Sequence, residues 1–130
     1  MNVVITPNPY RDKQFRYSLR AKEILEEVFT YMEEYGFFGN ILRVDGVIAA
    51  VAVGEVIGDT LFIHIEKARR DYFGVHQMMV REFAKAHTNE TVCYINREDD
   101  SGDEGLRTSK LSYQPFDLLH KATIKLAWPE

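Results

Sequence analysis

The stretch Val47–Ile57, VIAAVAVGEVI, lies between Asp45-Gly46 and Gly58-Asp59, and it constrains the fold more than any other. An Asp-Gly pair in a two-residue loop suits a type I′ turn, in which both residues need positive φ, and so it joins antiparallel strands. FFGNILRV before it and TLFIHIEKA after the second turn share its apolar, β-branched and aromatic bias. Three consecutive strands with tight turns predict an antiparallel meander. The longest uninterrupted apolar run, Val47–Val53, is seven residues, far short of the ~20 that a membrane-spanning helix needs.

Around this meander the apolar period changes. Upstream, from Leu19, apolar or small residues at Ala21, Ile24, Leu25, Val28, Met32 and Tyr35 fall at helical spacing, with Gly36 as the closing cap. Residues 1–16, with Pro7 and Pro9, suit an extended arm or an edge strand. Downstream, GVHQMMVREFAKAH places Val75, Met78, Met79, Phe83 and Ala86 on one helical stripe, as core packing. A strand TVCYINR, a short helix DEGLRTSKLSY with Asp103 near its start, and a last strand LLHKATIKLAW complete the chain. Strand-helix-strand demands a parallel crossover. The fold class is therefore α/β (α+β): a mixed sheet, with a meander followed by a parallel β-α-β unit and helices on both faces. The whole chain reads as one domain, residues 1–36 forming the arm and helix and 37–127 the main body.

Composition narrows the function. With 130 residues, 45% hydrophobic, the chain can bury roughly two thirds of its unfolded surface. The formal net charge of -4 gives no global basic field for nucleic acid or an anionic membrane. One cysteine, Cys93, permits no intramolecular disulfide and reads as a buried inert thiol. The N-terminus lacks the apolar core of a signal peptide, and the expected compartment is the cytoplasm.

The chemistry is expected where the two parallel strands end, because ligands bind in crevices outside the carboxyl ends of strands in open α/β sheets. Glu66-Lys67 closes one of these strands and Asn96-Arg97-Glu98 the other. Strand alternation places Phe62, His64 and Glu66 on one face, and Tyr94, Asn96 and Glu98 on one face of the neighbour. Glu66 suits a general base and Asn96 a donor that polarises a carbonyl. Arg97, Arg107 and Lys110 suit an anionic part of a ligand; Lys67, Ser112 and Tyr113 join the binding set. Gly74, opening the long helix after a basic, aromatic loop, suits an anion at a helix start. The alternative is structural: Glu66–Arg97 and Glu98–Lys110 as ion pairs. No metal set is evident. His64 and Glu66 lack a third ligand, and NREDDSGDE fits no calcium loop, since the sixth position from Asn96 is Ser101.

The order of elements resembles the GNAT acyltransferase superfamily, in which a splayed parallel strand pair admits the acyl donor. FIHIEKA, FGVHQMMVREFA and YINREDDSGDEGLRTSKLSYQP resemble, more specifically, the C-terminal domain family of phosphatidylglycerol lysyltransferases, over about residues 37–127. The resemblance implies a GNAT-like fold and transfer of an acyl or aminoacyl group. The donor would be acyl-CoA or aminoacyl-tRNA, the acceptor a small molecule or a lipid head group. It also implies a second GNAT-like domain, supplied in cis or by a homodimer. Acetyl-CoA enzymes carry Arg/Gln-x-x-Gly-x-Gly/Ala before their long helix, where this chain has Asp71, Gly74 and His76. The place of their tyrosine acid falls on Thr108. A rival reading follows from these departures: a non-catalytic binding or packing half of a tandem protein. Recognition of tRNA by this chain alone is disfavoured by its negative charge.

Overall fold

The computed structural model describes residues 3–7, 28, 30–99 and 102–127. They divide into two compact units, Met1–Glu98 and Asp99–Glu130.

The first unit is built on a five-stranded sheet in sequential order: β1 (Val3–Pro7), β2 (Phe38–Val44), β3 (Val47–Ile57), β4 (Thr60–Ala68) and β5 (Tyr94–Asn96). β1 to β4 pair antiparallel and β5 pairs parallel to β4. The Asp45-Gly46 turn has φ of 50° and 82°, as a type I′ hairpin requires. Helix α1 (Met32–Tyr35) ends on Gly36 in the left-handed region. The start of the helix expected from Leu19 lies outside the described residues.

Each face of the sheet buries its own cluster. Leu42, Val44, Ala50, Ala52, Leu61 and Ile63 pack with Val75, Met79 and Phe83 of helix α2 (Val75–His87). On the other face Ile41, Ile48, Val51 and Val53 pack with Met32 of α1, and Val28, Phe37 and Ile65 join them. Helices thus cover both faces, as the sequence pattern predicts. The buried stripe of α2 runs through Val80, while Ala86 is exposed; spacings of four and three residues keep Val75, Met79, Val80 and Phe83 on one side, and Ala86 has turned past it. Lys85 in the last turn suits the negative end of the helix. Thr88 closes it, its hydroxyl donating to the Ala84 carbonyl at 2.7 Å.

In the second unit helix α3 (Glu104–Leu111) starts at Asp103, whose side chain accepts from the Leu106 N–H at 2.8 Å, an N-cap that satisfies one open donor.

Three expectations need correction. The seven-residue strand TVCYINR is reduced to Tyr94–Asn96, because its ladder to β4 covers only three residue pairs. Cys93 is exposed, not buried, since it precedes this short strand at the end of the sheet. The last strand, LLHKATIKLAW, is absent among the described residues, and Leu118, Leu119, Ile124 and Leu126 stand in solvent. Alternation gives a segment the capacity to be a strand, but the strand forms only against a partner that takes its backbone hydrogen bonds.

Two predictions follow from the packing. A Cβ on Gly54 would stand 2.2 Å from the Phe62 carbonyl oxygen and 3.2 Å from Phe83. Gly54→Ala is expected to lower the urea unfolding free energy by about 2 kcal/mol or more. His87 is stacked on Phe38 at 4.1 Å, lies 4.5 Å from Phe83, and bonds through Nε2 to buried Asn40 at 2.6 Å. Burial holds its imidazole below the usual value of 6.5. On acidification the unfolded chain therefore takes up this proton first, and the stability tied to neutral His87 is lost as pH falls from about 6.5 through the lowered folded value. His87→Gln is expected to lose less melting temperature than the parent between about pH 7.5 and about pH 5.5, measured by calorimetry.

Candidate active site

The ladder between β4 and β5 joins Thr60 to Tyr94, Leu61 to Ile95 and Phe62 to Asn96, and there it stops. β4 continues to Ala68. β5 itself ends at Asn96, so the backbone pairing stops there while β4 runs on; this end of the ladder, called the wedge below, is the candidate site.

A bulge in β4 sets its chemistry. Val53 is opposite Ile65 and Gly54 opposite Ile63, which leaves His64 as the extra residue. Such a residue reverses the side-chain alternation beyond it. Leu61 and Ile63 pack in the α2 cluster, Ile65 in the α1 cluster, and Ala68 against the α2 cluster again. His64 and Glu66 consequently do not share a face, as simple alternation predicts; the bulge separates them.

Two side-chain pairs then span the wedge. The Arg97 guanidinium donates to both Glu66 oxygens, through Nη2 at 2.9 Å and Nε at 3.3 Å. These side chains are only 12% and 9% exposed, so little water screens the pair. The second pair is His64 Nδ1 with Glu98 Oε1, at 2.5 Å. On the other side of the ring, His64 Nε2 meets Glu55 Oε1 at 2.8 Å. Carboxylates only accept hydrogen bonds, and a neutral imidazole donates from one nitrogen. The chain Glu55–His64–Glu98 is thus complete only with a proton on both ring nitrogens, or with one on a carboxyl. Phe37, with its ring centroid 4.8 Å away, and Phe62 at 6.4 Å flank the imidazole. Because the two carboxylates sit on opposite ring nitrogens, they do not converge on a point. No group of three or more His, Cys, Asp or Glu among the described residues is placed to hold a metal ion.

Asn96 has a local bond: its Oδ1 accepts from the Glu98 N–H at 2.8 Å. This Asx-type turn supports Glu98 at φ 63°, in the left-handed region that side chains other than those of Gly, Asn and Asp seldom adopt. Asn96 therefore aims the Glu98 backbone. Lys67 is exposed on β4. Gly74 sits at φ 78° as the N-cap of α2, with no side-chain cap. Asp71 is bound by Arg69 at 2.7 and 3.0 Å, which holds its carboxyl below the ordinary carboxylate range.

The other candidates belong to the second unit. Arg107 and Lys110 lie on α3, with Ser112 and Tyr113 just after it. Lys110 Nζ donates to the Asp99 carbonyl at 2.7 Å, and the Ser112 hydroxyl to the Ser109 carbonyl. Sequence reasoning passed over Glu55 and read His64 as a half-buried strand residue and an incomplete metal ligand; it is half-buried on β4. The readable signal for both was Gly54, a glycine inside a strand, which marks a bulge or a close backbone approach.

The arrangement of meander, crossover helix and parallel strand pair defines the class: the chain has the GNAT acetyltransferase fold. The ribosomal-protein-alanine N-acetyltransferase from Brucella melitensis biovar Abortus 2308 superposes with a TM-score of 0.73 at 13% identity, over 96% of this chain and 100% of that one. AAC(6')-Iy, solved in complex with the bisubstrate analog CoA-S-monomethyl-acetylneamine, gives 0.70 at 10% identity, over 99% and 100%. At such identities the likeness is one of fold alone. A conserved protein of unknown function from Bacteroides thetaiotaomicron VPI-5482 is nearer in sequence, with 31% identity and a TM-score of 0.75, over 90% of this chain. The match spans 45% of that protein's chain. Residues 10–121 match the family described as phosphatidylglycerol lysyltransferase, C-terminal, and the chain belongs to that family. No curated protein matches the sequence.

The Glu66–Arg97 pair yields a prediction of its own. Removing one partner strands a largely buried charge, so Glu66→Gln and Arg97→Met are each expected to cost about 3 kcal/mol. In urea titrations the double variant should fall short of the sum of the two by more than about 1 kcal/mol.

Proposed function

We propose that the chain is an acyl-transfer domain, moving an acyl or aminoacyl group from a donor to an amine or hydroxyl acceptor. The observation that carries this reading is the wedge between β4 and β5, with the proton-handling chain Glu55–His64–Glu98 on its rim. Family membership and the acyltransferase fold support it.

In the proposed reaction the acceptor attacks the donor carbonyl carbon and loses its proton to Glu98, the most exposed carboxylate of the chain. His64 holds that carboxylate in place and Glu55 holds the ring from behind. The leaving thiol or ribose hydroxyl departs from the tetrahedral intermediate with a proton returned through the same chain. Glu66, the base that strand position alone favours, has both oxygens on the Arg97 guanidinium, so we assign this pair to positioning the two strands. The Asn96 amide supplies N–H donors for the acyl oxygen. Lys67 and the start of α2 at Gly74 suit the anionic part of the donor, acyl-CoA or aminoacyl-tRNA. Arg69 neutralises Asp71 there, which removes the repulsion that this acid would otherwise offer a phosphate. The description of the family favours an aminoacyl-tRNA donor and a lipid head-group acceptor. Arg107, Lys110, Ser112 and Tyr113 have no assigned part.

The test is donor binding followed by transfer. A donor at 100 times its Kd should add about 2.7 kcal/mol of stability, read as a rise in melting temperature with acetyl-CoA, longer acyl-CoAs or lysyl-tRNA. Glu98→Gln is expected to cut transfer to amines or to phosphatidylglycerol vesicles about 100-fold or more while donor binding persists. If no donor shifts the melting temperature, the acyl-transfer reading fails.

A second reading has an observation in its favour. The carboxylates of the wedge, Glu55, Glu66 and Glu98, all bond to other side chains, as in a non-catalytic half that serves for binding or packing. On that reading Glu98→Gln alters stability and no donor or acceptor is turned over.

A further inference from the structure

We propose that the loop between β4 and α2, residues 69–74, docks this chain on an anionic lipid bilayer, the Phe73 ring entering the interface and Arg70 lying among the head groups. Phe73 is 104% exposed, the highest value among the large apolar side chains of the described residues. One exposed apolar side chain is ordinary on a protein surface. This one differs because the loop that carries it is held in place. The Arg69 N–H donates to the Ala49 carbonyl at 2.8 Å, and the Arg69 side chain grips Asp71 through two bonds. Tyr72 packs against the α2 core cluster, with the Arg69 guanidinium 5.2 Å from its ring centre. Gly74, at φ 78°, turns the backbone into α2, and Val75 is buried. Tyr72 and Val75 are thus drawn into the core, and Phe73 between them is left in water.

The charge beside the ring is positive. Lys67, Arg69 and Arg70 stand against Asp71, and Lys67 and Arg70 are exposed. Glu66 is bonded by Arg97, and the first turn of α2 carries no acid. The Asp45-Gly46 hairpin lies at the same end of the sheet, since Ala50 pairs with Ala68. It brings one cation and one acid, Arg43 and Asp45, and leaves the sign unchanged. A net-negative chain thus concentrates cations around its most exposed apolar ring. That pairing suits a surface that is anionic at the top and apolar beneath. A nucleic acid also offers phosphates and stacking bases, but so small a surplus of cations releases too few counterions to hold one. In a bilayer the burial of the ring adds to the attraction. One ring with a few cations gives a weak, reversible contact, as a single anchoring signal does.

The experiment is cosedimentation of the full chain with vesicles of phosphatidylglycerol and phosphatidylcholine in equal parts, at low ionic strength. The parent is expected to bind these about tenfold or more tighter than vesicles of phosphatidylcholine alone, and to be released by salt. Phe73→Ser should weaken the binding about tenfold with no fall in melting temperature, since the ring is fully in water. Arg70→Glu should weaken it by a similar factor, about tenfold, and lessen its dependence on salt. In a chain with Trp128→Phe, Phe73→Trp should keep the binding. Its emission is expected to shift to the blue, and to be quenched by brominated lipid, only with phosphatidylglycerol present. A parent chain that ignores anionic vesicles, binding indifferent to Phe73→Ser, or emission from the Phe73→Trp chain that stays in the aqueous range overturns the proposal. Retention of a single-stranded RNA in place of vesicles assigns the loop to nucleic acid and overturns it equally. Each readout is binding alone, so the proposal stands or falls separately from acyl transfer in the wedge.

Discussion

The extra residue in β4 governs the rest of this molecule. With His64 opposite no partner, every side chain after it changes face, and a strand that would have shown two acids or bases to one side shows them to both. Glu66 meets Arg97 and His64 meets Glu98, and these neighbours on the second strand must themselves point oppositely. The two strands are thus bridged by two pairs of unlike character. One is a nearly dry, two-point ion pair; the other is a wetter chain that ends on an exposed carboxylate. The same bulge therefore yields a rigid strut and a proton-handling group within a few residues.

The bulge depends in turn on Gly54. At the register shift the β3 backbone comes so near Phe62 that a side chain would overlap the carbonyl oxygen, and Phe83 closes the space from the helix side. Packing of α2 and geometry of the wedge are therefore coupled through one position. Phe83 fills the core and also fixes how closely β3 and β4 approach where His64 is extruded.

This explains what could be read from the sequence and what could not. The meander was legible because Asp45-Gly46 and Gly58-Asp59 are local signals that act within a few residues. Helix α2 and the parallel crossover were legible because the apolar period changes at Gly74. The strand ends at Glu66 and Asn96-Arg97-Glu98 were found by position, but their partners were not. Pairing across strands depends on register, and register here turns on a single unpaired residue whose sign in the sequence is one glycine in an apolar run. The final segment shows the opposite limit. Its alternation is plain, but whether alternation becomes a strand depends on an edge that lies elsewhere.

Charge in the wedge bears on what it can receive. Glu55, Glu66 and Glu98 face one guanidinium and one imidazole, so the group stays acidic even with the ring protonated. That residual charge disfavours phosphate and favours a cation. On the acyl-transfer reading proposed above, a donor's phosphates would lie outside this group, toward Lys67 and the start of α2. On the same reading the residual negative charge would favour a cationic acceptor, which must lose one proton to become nucleophilic before it attacks.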